Sequence, residues 1–110
     1  MSGISRPLQR AQGDLSGALQ QYRASLKVAE KLAEQDKSNA GWQRGLSVSL
    51  VNIGDVLRDQ GDLSGALQQY RASSEIFKKL AKQDAGNTSW QRDVSVSLGR
   101  IGDVLRVVVK

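Results

Sequence analysis

The groups in this sequence that could do chemistry are few, and most are carboxylates facing guanidinium or ammonium groups. Asp55 with Arg58, and Asp103 with Arg106, stand three residues apart. On a helix that spacing sets acid beside base in a local ion pair, worth about 0.2–0.5 kcal/mol. Asn52 and Arg100 add an amide and another guanidinium to the same segments. No pair of carboxylates stands isolated among apolar residues, so no group is poised to hold or pass a proton near neutral pH. The chain contains no histidine and no cysteine. That removes the commonest metal ligands, the usual general base and the thiol nucleophile together, and it forbids a disulfide framework. Gly54 and Gly102 stand singly within helical periodicity and lack the spacing of a phosphate-binding loop, so close helix approach accounts for them better. No catalysis, no cofactor and no metal are expected, which leaves recognition.

The elements that carry these residues are written twice. The stretch "QGDLSGALQQYRAS" runs from Gln12 to Ser25 and again, unchanged, from Gln60 to Ser73. The same offset of 48 residues carries "WQR" at Trp42 onto Trp90 and "IGDVLR" at Ile53 onto Ile101. A fixed period of this length is the mark of a solenoid whose units stack on their neighbours. Within one period Trp42, Leu46, Leu50, Ile53 and Leu57 share one helix face, and Leu63, Ala66, Leu67, Tyr70, Phe77 and Leu80 share another. Between them Gly61 suits a residue of positive φ that ends a helix, and Asp62 suits the N-cap of the next. "QDKSNAGW" and "QDAGNTSW" supply the small and amide residues of turns. The pattern predicts an all-α single domain of antiparallel helical hairpins, with helices near 14–36, 42–60, 62–84 and 90–108 after a short segment 1–13.

Composition narrows the partner. The net charge of +5 is scattered through mixed acidic and basic segments, with Arg6, Arg10, Arg106 and Lys110 toward the ends. Binding to nucleic acid needs a contiguous basic stripe, often with stacking aromatics, so nucleic acid is not expected. No apolar run nears the roughly 20 residues that span a bilayer, and the start lacks a signal-peptide core. A cytoplasmic location is the expectation, with no membrane involvement.

"LVNIGDVLRDQGDLSGALQQYRAS" resembles the tetratricopeptide repeat (TPR), with Leu50, Ile53, Gly54, Leu57, Gly61, Ala66, Tyr70 and Ser73 at the motif places in order. Leu57 stands for an aromatic and Ser73 for alanine. The familiar unit has about 34 residues, so each helix here gains about two turns, which keeps its apolar face aligned. The family's proline after the second helix is missing; Lys78 stands there. Trp42 and Trp90 then read as apolar anchors of the extension rather than ligand platforms. The resemblance implies a right-handed superhelix whose first-type helices line a concave groove for a peptide or protein partner. Val48, Val51, Asn52, Asp55, Arg58, Val96, Arg100, Asp103 and Arg106 would line it, with Gly99. For the charged pairs, ligand contact and local ion pairing both stay open. TPR domains that grip acidic chaperone tails carry Asn and a basic residue where Asn52 and Arg100 stand. They also need a lysine where this chain has Val96, and an earlier helix that is absent, so that clamp is incomplete.

The repeat frame adds a second expectation, a self-assembling module. The helix from Asp14 lacks its first-type partner and the helix from Trp90 its second-type partner. Leu15, Leu19 and Tyr22 on one, and Leu98, Ile101 and Leu105 on the other, would then associate between chains, either by reciprocal exchange in a homo-oligomeric dimer, which is favoured, or head to tail in an array that extends the superhelix.

Overall fold

The computed structural model describes residues 5–108, with side-chain surroundings from residue 11 onward. It holds four α-helices, α1 (Ser5–Gln35), α2 (Ala40–Asp59), α3 (Leu63–Gln83) and α4 (Thr88–Val108). Each packs on the next in the chain, so the helices form a row, and the molecule measures 58 × 34 × 20 Å. This is an all-α helical repeat.

Side chains set the helix starts. Asn39 caps α2 by accepting from the Trp42 amide at 3.0 Å. One period later Asn87 accepts from the amides of Ser89 and Trp90 at 3.0 and 3.3 Å, at the start of α4. Asp62 caps α3, its Oδ1 accepting from the Gly65 amide at 2.8 Å. The turn before it needs glycine: Gly61 has φ of +88°, and its amide donates to the Arg58 carbonyl while that of Asp62 donates to Leu57. These are the bonds that close a helix end through a left-handed residue.

The first copy of the same letters behaves differently. The expected helix from 14 begins instead at Ser5, and Gly13 and Asp14 lie inside α1. Gly61 is the one positive-φ residue among those described. At Gly61 the turn is held by the packing of α2 on α3. Before Gly13 the sequence offers only Ile4 and Leu8 as branched aliphatic residues, so local helix propagation, adding one hydrogen bond per residue, goes unopposed. Pro7, in the first turn, lacks an N–H that would have no acceptor within α1.

Ile53, Leu57, Ala66, Tyr70 and Val104 form the centre of the core, with Leu19, Leu26, Leu67 and Ile101 packed against it. Gly54 is buried beneath the Tyr70 ring: a Cβ built there would lie 2.6 Å from Tyr70 Cε1. A glycine is what lets the two helices come this close. Trp42 and Trp90 are half-buried, at the edge of the core rather than within it.

Candidate binding face between α2 and α4

α2 and α4 are not neighbours in the chain, yet two ion pairs tie them. Arg44 meets Asp93, Nε to Oδ2, at 2.9 Å near one end. Arg100 meets Asp55, Nε to Oδ1, at 3.0 Å, with a second contact from Nη2 to Oδ2 at 3.4 Å. Between these rungs opens a pocket of about 140 Å³ with Val48, Val51, Val96, Phe77 and Ser97 in its walls and Asp93 and Arg100 at its edge. That volume is close to that of an engineered cavity of about 150 Å³ that admits benzene, so it suits one apolar side chain. Val96 is 48% exposed, which leaves the apolar wall open to an incoming chain.

Asp55 is the hub. It accepts from the Tyr70 hydroxyl at 2.5 Å, pairs with Arg100, and has Arg58 at 3.9 Å one turn along α2. Burial is the main reason that the Tyr70 phenol is pushed well above its ordinary pKa, and the hydrogen bond to the Asp55 carboxylate raises it further. Both effects favour the protonated donor form. Asp55 therefore joins three helices, with Tyr70 from α3 and Arg100 from α4.

Of the residues singled out by sequence, Val48, Val51, Val96 and Arg100 come together around the pocket. Asn52, Asp55 and Arg58 lie on α2 outside the pocket lining. Asp103 and Arg106 sit 4.0 Å apart as an exposed local pair, away from it. The clamp reading finds no support, because the Arg100 guanidinium is already engaged by Asp55. Arg44, Asp93 and Ser97 escaped the sequence reading, and Phe77 entered it only as a residue of an apolar helix face. Arg44 and Asp93 stand 49 residues apart, one more than the period, so the pair becomes visible when the two first-type helices are laid side by side. A larger open cleft of about 380 Å³ lies among the ends of α1, α2 and α3. It mixes Glu30 and Glu34 with Lys37 and Lys79 and holds none of the candidate groove residues, although Leu46 and Leu80 of the apolar stripes lie in its walls. Its walls carry charges of both signs, whereas the pocket between the ion pairs is lined mainly by apolar side chains.

Among the described residues, no group of His, Cys, Asp and Glu could hold a metal ion, and no helix is long and apolar enough to cross a membrane.

Residues 46–84, which take in most of α2, all of α3 and the Gly61–Asp62 turn, match the family model of the tetratricopeptide repeat. Over those residues the central hairpin is similar to a tetratricopeptide repeat. No curated protein and no solved structure matches the chain. A TPR is a protein–protein interaction module, one whose stacked units present an extended surface. The charged hub at Asp55 and the close approach at Gly54 both fall within the matched TPR.

Proposed function

We propose that the chain is a non-catalytic interaction scaffold that binds an extended segment of a partner protein across α2 and α4. The observation that carries this reading is the apolar pocket of about 140 Å³ set between two ion pairs. An apolar side chain of the partner enters among Val48, Val51 and Val96, and its backbone passes over the Arg44–Asp93 and Asp55–Arg100 rungs. Those four charges are balanced in sign and already paired, so the partner needs no net charge of its own. A strongly acidic tail would gain little here. The setting is cytoplasmic in this reading.

A random peptide library displayed on phage, selected on the wild-type chain, tests the proposal. Selected peptides should share an apolar anchor and bind Val96→Asp at least about tenfold more weakly, a loss of about 1.4 kcal/mol. Because Val96 is exposed, this variant should keep the wild-type melting curve. Equal binding of the selected peptides to wild type and Val96→Asp would refute the site.

A second reading, self-association through α1 and α4, is favoured by a separate observation. Tyr22 on α1, and Leu98 and Leu105 on α4, are exposed large apolar side chains. Of the other residues expected to join them, Leu19 and Ile101 are partly used within the chain, packed against the core, while Leu15 is half-buried.

A further inference from the structure

The α2–α3 hairpin is an occupied template for two faces that are open elsewhere in the same chain. On α3, Ala66, Tyr70 and Ser73 are wholly buried against α2. One period earlier the same letters stand on α1 as Ala18, Tyr22 and Ser25. There Tyr22 is 37% exposed and Ser25 is exposed as well. On α2, Gly54 makes the hollow that receives the Tyr70 ring, and Asp55 accepts from its hydroxyl. Ser47 Oγ lies 2.7 Å from Ser73 Oγ, a little farther along. One period later α4 presents the same receiving set as Ser95, Gly102 and Asp103. Nothing comes within 4 Å of a Cβ built on Gly102, and Asp103 is largely exposed.

We infer that a second copy of the chain docks its α1 on the open face of α4, with Tyr22 seated over Gly102 and donating its hydroxyl to Asp103. The inference rests on the self-association reading and gives it a register. Each part needed is present and matched in kind: the ring and its hollow, the donor and its acceptor, the paired serines. The occupied copy within the chain shows that these parts fit one another. The first ten or so residues of α1 do not obstruct the contact. In the template α3 begins just past the end of α2, so the stretch before Leu15 would project beyond the end of α4 rather than into it.

The contact joins unlike surfaces. α1 and α4 occupy opposite ends of the helical row, since each helix packs mainly on its sequence neighbours. Such a contact is heterologous, and it extends the row from chain to chain unless a ring closes. Of the two associations that the sequence left open, this favours head-to-tail growth over the reciprocal dimer.

Sedimentation velocity of the intact chain over a wide concentration range, with two sets of variants, provides the test. Wild type should gain mass steadily with concentration without stopping at two copies. Gly102→Ala should remain folded and weaken association at least about tenfold, because its methyl group fills the hollow that the ring must enter. The chain has no cysteine of its own. A mixture of the single variants Ser25→Cys and Ser95→Cys, oxidised mildly, should therefore form mainly the mixed cross-link, since the template places the corresponding oxygens within reach of disulfide geometry. A wild-type mass that stays monomeric throughout would overturn self-association itself. Association that persists in Gly102→Ala, with cross-links formed without preference for the mixed species, would overturn this register while leaving self-association standing.

Discussion

Gly54 and Gly102 occupy the same place in "IGDVLR", one period apart, yet alanine should act on them with different outcomes. At Gly54 the new Cβ would lie 2.6 Å from Tyr70 Cε1 and 2.8 Å from Cδ1. The ring is wholly buried and its hydroxyl is fixed to Asp55, so it cannot swing aside without giving up that bond. Overpacking of this kind costs about 1–3 kcal/mol. Replacing glycine by alanine inside a helix gains about 0.8–1.0 kcal/mol, which only partly offsets it. At Gly102 the Cβ meets nothing within 4 Å, and only the helical gain remains. That gain is common to both sites and cancels in the comparison, leaving Gly54→Ala less stable than Gly102→Ala by about 1–3 kcal/mol. For a chain of this size each kcal/mol moves Tm by about 4 °C or more. Thermal and urea melts followed by circular dichroism, at concentrations low enough to keep the chain monomeric, would measure the difference. Equal stability of the two variants, with both above wild type, would refute the close approach of α2 and α3.

Two further outcomes follow from single contacts. The raised pKa of the Tyr70 phenol means that the unfolded chain releases this proton near the ordinary value of about 10 while the native chain still holds it. Stability from this group is thus complete below pH ~10 and declines above it, so Tyr70→Phe should flatten the alkaline fall in urea melts; parallel curves would count against the burial assigned to the phenol. Asp62→Ala should cost about 0.5–2 kcal/mol through loss of the α3 cap, whereas Asp14→Ala, at an exposed position inside α1, should stay within about 0.5 kcal/mol of wild type. Equal losses in those two melts would show that identical letters form the same turn after all.

The hairpin was legible because its signals agree at every level. Gly61 and Asp62 end one helix and begin the next, and the stripes of Ile53 and Leu57, and of Ala66 and Tyr70, meet in the core. The course of α1 was not legible, since a glycine and an aspartate permit a turn without requiring one. The turn forms where α2 packs on α3, whereas before Gly13 the chain from Ser5 onward continues α1 itself. The caps at Asn39 and Asn87 were readable in principle, because an amide recurs at the same place before each first-type helix. The valines that line the α2–α4 pocket were implied by the resemblance to the TPR, whose first helices line a groove. The ion pairs that frame them were not, because pairing across stacked units depends on the shift between helices rather than on spacing within one.

That shift also accounts for one of the differences between the two first-type helices. Where the second first-type helix has Arg100, the first has Asn52. Arg100 reaches back to Asp55 on the preceding first-type helix at 3.0 Å, so an arginine at this place is matched when an aspartate stands 45 residues before it. Counting back by the same interval from Asn52 arrives at Pro7, an uncharged residue that lies in α1 rather than on a preceding first-type helix. An arginine in place of Asn52 would lack that acidic partner and still lose side-chain freedom in a half-buried setting. The neutral amide carries a smaller desolvation penalty. The two copies thus differ where their neighbours differ, as expected if each residue on this face answers to the adjacent unit as much as to its own.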